Sequence, residues 1–262
     1  MREFDAFTTL EDSAQVFHFR KIGSCYAACV DGRILTECDE DEFACRYFDD
    51  ERDYQSLSKR EGLKANVLRA VTLLPGLRVV NQPAWEALCA FILSSNNNVK
   101  RIRASIERLN ENYGYSLKFM GEKLYGFPDA FYLSKVDPDE LQKTIRCGYR
   151  AKYLVESAKM IKAGFPLEDL RNAPYEEARR ELMKLSGVGG KVSDCICLFG
   201  LGHASAFPVD VWVKRLMKSW FDVDGSNEFV RKEAIRIFGP ECGIYQQSLF
   251  HAARTGLIEI EE

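Results

Sequence analysis

The pattern of apolar positions changes after Leu74-Pro75-Gly76. Before that point the segments VFHFRKI, SCYAACV and RILTECD are rich in aromatic and β-branched residues, which favour strands. The dipeptide Asp31-Gly32 separates the last two segments and is typical of a tight hairpin turn. The sequence therefore predicts a small antiparallel β domain over residues 1–75.

From residue 76 to residue 262 the apolar positions follow helical spacing. In WEALCAFI they recur three and four residues apart, as on one face of a helix. Asp137-Pro138 is typical of a helix start, while Ser226 and Gly239 would cap and end a helix through Phe238. The prediction is an α+β protein, with a small N-terminal antiparallel β-sheet domain and a larger all-helical part.

Composition and charge narrow the class of protein. The 262 residues are 46% hydrophobic and 29% charged, as in a globular protein, and no apolar run approaches the ~20 residues that span a bilayer. The acidic N-terminus lacks a secretory signal, so we expect a cytoplasmic protein without a membrane partner. Residues 1–60 contain 14 acidic and 8 basic side chains, whereas the remainder contains 25 and 28. A basic face for nucleic acid is therefore possible despite a net charge of −3.

The cysteines argue against a metal cluster. All nine are scattered, none forms a CxxC pair, and no set has the spacing of zinc or iron–sulfur ligands. We expect most of them to be reduced, buried apolar residues. The sequence predicts no cofactor and no iron–sulfur cluster.

A glycine-rich turn joins two predicted helices at about residues 175–201. The segment LSGVGGKVSDC carries Gly187, Gly189 and Gly190 around Val188, and such glycines let phosphate approach the backbone. A phosphate-binding loop of the nucleotide-hydrolase type would need glycine at 185 and Ser or Thr at 192, and a dinucleotide site would need a preceding strand. Neither condition holds, so we interpret the segment as a helix-hairpin-helix that binds the DNA backbone without reading sequence.

Lys191 and Asp210 are the candidate catalytic residues. Lys191 follows the glycines, begins a helix and precedes an apolar run, so desolvation and the helix dipole would favour a neutral amine that can form a Schiff base. A solvated lysine on a turn is the alternative. Asp210, 19 residues later in FPVDVWV, would equally serve as a helix N-cap, and the two roles are compatible.

Several segments together resemble a known family. LSGVGGKVSDC followed by PVDV is similar to the signature of base-excision DNA glycosylases. QPAWEALCAFILSSNNNVKRI, CGYRAKYL, GVGGKVSDCICL and GIYQQSLF resemble the 8-oxoguanine DNA glycosylases, over roughly residues 75–255 and more loosely over 1–75. The resemblance implies a bifunctional enzyme that excises 8-oxoguanine, preferably opposite cytosine, and nicks the abasic site by β-elimination. It also implies double-stranded DNA containing oxidised guanine as partner, a nucleoid-associated location and a monomer.

The resemblance also implies roles for individual residues. Lys191 would be the nucleophile, and Asp210 would stabilise the positive charge that develops on the sugar. The lesion pocket would comprise Cys195, Gln246, Phe250 and Ala14, the last standing where the family has glycine. The orphaned cytosine and the gap left by the flipped base would be held by Asn96, Arg101, Tyr149 and Arg150. An alkali ion could sit at the carbonyls of Leu185, Gly187 and Val188 or Gly189.

Structural roles compete with these assignments. The three asparagines from Asn96 could cap the helix near Val99, and Phe250 and Cys195 could simply be core residues. At the level of function, the alternatives are a glycosylase for another damaged base and a non-catalytic DNA-binding helix-hairpin-helix protein.

Overall fold

The structure, a computed structural model, describes residues 3–260 and confirms the α+β class. Five strands form two antiparallel sheets, and helices make up most of the rest of the chain. The strands are β1 (Arg20–Ile22), β2 (Cys25–Val30), β3 (Arg33–Thr36), β4 (Tyr115–Phe119) and β5 (Glu122–Gly126). The α-helices are α1 (Glu42–Tyr47), α2 (Ala65–Thr72), α3 (Ala84–Ser94), α4 (Val99–Tyr113), α5 (Ala130–Leu133), α6 (Pro138–Ile145), α7 (Arg150–Lys162), α8 (Tyr175–Leu182), α9 (Gly190–Phe199), α10 (Val211–Phe221), α11 (Asn227–Phe238) and α12 (Cys242–Arg254).

The N-terminal sheet has the order β1-β2-β3 and contains the predicted hairpin. Val30 pairs with Arg33, so Asp31 and Gly32 form a two-residue turn. Both turn residues have positive φ, 48° and 78°, which matches the right-handed twist of the flanking strands. The Asp-Gly pattern therefore predicted this turn correctly.

The first strand is shorter than predicted. Within VFHFRKI, only Arg20–Ile22 pairs with a neighbouring strand. The chain just before this segment is held instead by hydrogen bonds from the side chain of Gln15. Its Nε2 donates to the carbonyl of Arg78 at 2.7 Å, and its Oε1 accepts from the backbone N–H of Val80 at 2.9 Å. The aromatic residues at 17 and 19 are buried without strand pairing, which is why their composition resembled a strand.

The helical part contains a β-hairpin, β4–β5, where the sequence predicted only helices and loops. Met120 and Gly121 form its turn with φ of 49° and 84°. The hairpin packs against the N-terminal sheet, where the thiol of Cys29 donates to the carbonyl of Leu124 at 3.2 Å. The two sheets therefore lie together, although residues 37–114 separate them in the chain.

The largest apolar core lies among the helices, with α3 packed directly on α9. Residues before position 75 also enter it, including Phe17, Leu57 and Val67. Conversely, Val80 packs with the N-terminal sheet. The predicted division near residue 75 stays a prediction, because the two parts share their packing.

Candidate active site

The glycine-rich turn connects α8 to α9 as a helix-hairpin-helix. Gly187 has φ of +77°, and a Cβ at this position would lie 2.6 Å from the ring of Tyr153 on α7. The hydroxyl of Ser157, also on α7, donates to the carbonyl of Ser186 at 3.0 Å. Helix α7 therefore fixes the turn, and Gly187 is required for both its backbone conformation and its close contact.

The next glycine has a different environment. Gly189 is the N-cap of α9, has φ of −93°, and a Cβ there would meet no atom within 4 Å. Its side of the turn is exposed, so nothing in the folded chain requires glycine at this position. The open space in front of the free N–H groups of α9 is suited to an anion.

The turn carbonyls fit the donor set of an alkali ion. The carbonyls of Gly187 and Val188 accept no hydrogen bond within residues 3–260. The carbonyl of Leu185 accepts only the N–H of Val188, at 3.2 Å, and keeps a second lone pair. Gly189 offers less, because its carbonyl accepts the N–H of Ser193 at 2.9 Å. An alkali ion at this turn stays a prediction.

Lys191 lies in the first turn of α9 with its side chain exposed. Its Nζ lies 5.7 Å from the ring centroid of Phe91 on α3, a neighbour that was not predicted. Cys195, one turn further along α9, is 3% exposed and lies close enough to Lys191 to feel its charge. Burial raises the pKa of this thiol to about 11 although the lysine charge opposes the rise. The expected desolvation of Lys191 is not present in the protein alone.

Asp210 lies at the N-terminus of α10, close enough to Lys191 for their charges to interact. Its carboxylate accepts the N–H of Val213 at 2.8 Å, so it is an N-cap, as the alternative interpretation predicted. Burial raises the pKa of Asp210, and the Val213 N–H and the Lys191 charge partly offset that rise. The structure thus places a half-buried carboxylate, held in fixed geometry, within range of the lysine charge, although no ion pair within 4 Å joins Lys191 to Asp210.

The predicted lesion-pocket residues of α12 lie one turn apart. Gln246 is 4% exposed, and its buried Oε1 has no hydrogen-bond partner in the part of the chain that the structure describes. An orphaned buried acceptor is costly, and a ligand donor would satisfy it. Phe250 is half-buried and has the guanidinium of Arg254 5.9 Å from its ring centroid.

Ala14 lies in a segment that α12 holds in place. Gln247 donates to the carbonyl of Ser13 at 3.0 Å, and Gln82 donates to the carbonyl of Gln15 at 2.9 Å. Between them, the carbonyl of Ala14 accepts no hydrogen bond from residues 3–260. Ala14 has φ of 58°, a left-handed conformation that favours glycine. The structure thus explains why glycine is the expected residue at this position.

Asn96 and Arg150 are directly connected. Asn96 is exposed and has φ of 48° in the turn between α3 and α4, while Asn98 caps α4. Arg150 donates through Nε to the carbonyl of Ser95 at 2.8 Å and through Nη2 to that of Asn96 at 2.8 Å. In the free protein this guanidinium therefore fixes the turn that presents Asn96. This structural role of Arg150 was not predicted, because its two partners lie more than 50 residues away in the chain.

The two remaining residues of this group are exposed. Tyr149 is 52% exposed at the start of α7, with the guanidinium of Arg150 4.6 Å from its ring centroid. Arg101 is exposed in the first turn of α4, where the Asn98 cap accepts its backbone N–H. Both side chains are therefore accessible to a ligand.

A buried ionic network behind the hairpin was not predicted. Asp194 on α9 is 2% exposed and accepts hydrogen bonds from Tyr175 at 2.6 Å and Arg179 at 2.7 Å. Arg231 on α11 is 1% exposed and extends the network through Tyr175. These bonds tie both helices of the hairpin to α11. The burial of Asp194 and Arg231 was not predicted, because charged residues in a helical pattern are usually solvent-exposed.

A helix-hairpin-helix with a lysine at the start of its second helix and a capping aspartate beside it defines a DNA-binding base-excision fold. Residues 89–240 match the family model described as "HhH-GPD superfamily base excision DNA repair protein". The match covers more than half of the chain, and the protein belongs to this superfamily.

Two similar proteins are named as N-glycosylase/DNA lyases. The chain is 33% identical over 169 residues to an N-glycosylase/DNA lyase of Saccharomyces cerevisiae, covering 60% of this chain and 45% of that protein. It is 32% identical over 209 residues to a probable N-glycosylase/DNA lyase of Methanothermobacter thermautotrophicus, covering 70% and 66%. The matches thus span less than two thirds of either curated relative.

A solved structure matches this protein over nearly the full length of both chains. The 8-oxoguanine glycosylase/lyase of Clostridium acetobutylicum, in complex with double-stranded DNA containing cytosine opposite 8-oxoguanine, superposes with a TM-score of 0.90. The identity is 30%, over 98% of this chain and 94% of that one.

Within residues 3–260, no helix is both long and apolar enough to cross a membrane.

Proposed function

We propose that this protein excises 8-oxoguanine opposite cytosine from double-stranded DNA and then nicks the abasic site. The observation that carries the proposal is the placement of Lys191 beside Asp210 at the hairpin. The relatives named as N-glycosylase/DNA lyases and the 8-oxoguanine glycosylase of similar fold support it. Since the substrate would be genomic DNA, we infer a nucleoid-associated enzyme, and we propose that it acts as a monomer.

The hairpin would hold the strand that carries the lesion. The exposed face at Gly189 and the free N–H groups of α9 suit a DNA phosphate. The same helix presents Lys191, so a phosphate bound there would place the adjacent sugar near the amine. Bound DNA would also supply the desolvation that Lys191 lacks in the protein alone.

Lys191 and Asp210 would then perform the chemistry. After losing a proton, the amine attacks the anomeric carbon, and the bond from that carbon to the base breaks. The electron pair leaves with the base, and the Asp210 carboxylate stabilises the positive charge that develops on the sugar. Opening of the sugar gives a Schiff base on Lys191, and loss of a proton from the neighbouring carbon expels the 3′ phosphate.

Three features would recognise the flipped base. The orphaned Oε1 of Gln246 can accept a hydrogen from its Watson–Crick edge, and Phe250 and Cys195 offer stacking surfaces. The unengaged carbonyl of Ala14 can accept the N7 hydrogen, which 8-oxoguanine has and guanine lacks. Because Gln247 of α12 and Gln82, just before α3, hold the carbonyls on either side of it, the direction of the Ala14 carbonyl is fixed before the base arrives.

The opposite strand would meet a second group of residues. Asn96 would fill the gap left by the flipped base, and Tyr149 would act as a wedge. Arg101 and Arg150 offer only donors, which suit the acceptor atoms of cytosine. Arg150 already holds the turn of Asn96, so recognition of the gap and of the orphaned cytosine would be coupled.

Lys191→Gln tests the proposal. We expect it to abolish base release and strand nicking on an 8-oxoguanine:cytosine duplex while keeping lesion-duplex binding, because the exposed side chain contributes little to folding. Lys184→Gln, an exposed lysine on the same hairpin, is the matched control and should keep both activities. Nicking by Lys191→Gln at the parent rate would refute the assigned nucleophile. Activity of the parent protein on oxidised pyrimidines or alkylated purines, but not on 8-oxoguanine, would favour another lesion.

A further inference from the structure

Two cysteines outside the proposed active site lie side by side on the N-terminal sheet. Cys25 begins β2, and Cys38 follows β3 by two residues. Their sulfur atoms and a carboxylate oxygen of Glu37 all lie within 4.8 Å of one another. The chain has no CxxC motif, and only the pairing of β2 with β3 brings these two residues together.

The strand register brings the two residues to the same end of the hairpin. Ala27 pairs with Thr36, the last residue of β3. Beyond the ladder, the N–H of Glu37 donates to the carbonyl of Tyr26 at 3.3 Å, and the N–H of Tyr26 donates to the Glu37 carboxylate at 2.7 Å. Cys25 and Cys38 come next on the two segments, and their sulfur atoms lie within 4.8 Å of each other. A disulfide needs the two sulfur atoms about 2.05 Å apart, so its formation requires a short movement of the two side chains.

Exposure separates this pair from most other cysteines. Six of the nine thiols are buried, whereas Cys25 is half-buried and Cys38 is exposed. The remaining partly exposed thiol, Cys45, donates to the carbonyl of Glu40 at 3.5 Å. An oxidant in solution can therefore reach the Cys25–Cys38 pair without unfolding the protein.

We propose that Cys25 and Cys38 form a redox-active dithiol that a hydroperoxide converts to an intramolecular disulfide. One sulfur attacks the O–O bond, becomes a sulfenic acid, and releases water or an alcohol. The second sulfur attacks the first, the S–S bond forms, the S–O bond breaks, and the hydroxyl leaves as water with the proton of the second thiol. In total, two thiols lose two electrons to one peroxide bond.

The disulfide would close the open end of the β2–β3 hairpin. The pair flanks Tyr26, whose hydroxyl donates to Glu11 at 2.7 Å, three residues before Ala14. Oxidation would therefore stiffen the sheet that supports the Ala14 segment. The covalent change does not depend on the proposed glycosylase function, so its test needs no DNA.

The experiment treats the full chain with hydrogen peroxide, alkylates the remaining thiols, and analyses tryptic peptides with and without reduction. We expect residues 22–33 and 34–46 to appear as one cross-linked species, two hydrogens lighter than the sum of the reduced peptides. Fragmentation should place the link between Cys25 and Cys38 rather than at Cys29 or Cys45. The oxidised protein should also melt several degrees higher, because the link restricts the unfolded chain.

Single variants make the outcome decisive. Cys25→Ser and Cys38→Ser should each abolish the cross-link, whereas Cys45→Ser, the control of similar exposure, should keep it at the parent yield. Three results would overturn the proposal: sulfinic acid on either cysteine without a cross-link, a link to another cysteine, or only intermolecular links. Stoichiometric zinc in the purified protein, lost in both single variants and blocking oxidation, would instead identify a metal site and also overturn it.

Discussion

Gly187 and Gly189 occupy the same turn, yet alanine at the two positions should have opposite consequences. At Gly189 the added methyl group enters open space, and φ of −93° suits any residue. Alanine is a poorer N-cap than glycine, at a cost of about 0.5–1 kcal/mol. Alanine also restricts the unfolded chain, which stabilises the fold by about 0.4–1 kcal/mol. The two contributions nearly cancel, so Gly189→Ala should leave the free energy of unfolding almost unchanged.

At Gly187 the same change has no such compensation. A φ of +77° costs an alanine about 1–2 kcal/mol, and contact with the Tyr153 ring at 2.6 Å adds about 1–3 kcal/mol for overpacking. After the gain from the restricted unfolded chain, Gly187→Ala should destabilise the protein by roughly 2–4 kcal/mol. Urea denaturation of both variants and the parent measures the two free energies directly.

DNA binding should rank the variants the other way. The methyl group of Gly189→Ala would occupy the space proposed for phosphate and weaken a charge-assisted hydrogen bond of about 1.5–3 kcal/mol, or roughly 10–100-fold in Kd. The assay is titration of a lesion duplex at fixed salt, in the Lys191→Gln background to prevent turnover. Unchanged affinity of Gly189→Ala would refute the phosphate contact at this face. A loss of stability equal to that of Gly187→Ala would refute the structural distinction.

Substitutions at Asp210 and Arg150 test the catalytic carboxylate and the recognition of the orphaned cytosine. Asp210→Asn should keep the N-cap and the free energy of unfolding but lose base excision. Asp210→Ala should lose base excision and, because the cap is removed, about 1 kcal/mol of the free energy of unfolding, which denaturant titration measures. Full base excision by Asp210→Asn would contradict the role of the carboxylate charge. Burial raises the pKa of Asp210 above 3.8, and the ionised carboxylate is the active form. The rate of single-turnover base excision should therefore fall as the pH decreases through this raised pKa. A rate that stays constant down to pH 3.8 would refute this role. Arg150→Lys should relax the preference for cytosine, since lysine cannot bridge the Ser95 and Asn96 carbonyls with a planar fork; an unchanged ranking of the four opposite bases would contradict it.

Local signals in the sequence predicted local structure well. Asp31-Gly32 marked a two-residue turn, and Ser226 and Gly239 marked both ends of α11. These residues act through their own backbone or side chain within a few positions, so a linear pattern contains the needed information. The same holds for Asp210, whose capping role the spacing already suggested.

Features that depend on distant partners were not predictable. The β4–β5 turn uses Met120 before glycine, a residue without the turn preference of Asn or Asp. The burial of Asp194 depends on Arg179 and Arg231, which lie on two other helices. The expected desolvation of Lys191 rested only on the apolar residues that follow it in the chain. Helix α9 turns those residues toward the core and leaves Lys191 exposed.

Lys191 should form a Schiff base with DNA only when a lesion is present. Borohydride reduction traps such an intermediate, so the measurement uses a duplex with one 8-oxoguanine opposite cytosine, an undamaged duplex, and the Lys191→Gln variant. We expect a covalent protein–DNA band with the lesion duplex alone, and none with the variant. A lesion duplex that binds tightly but gives no band, or a band that persists in Lys191→Gln, would contradict it.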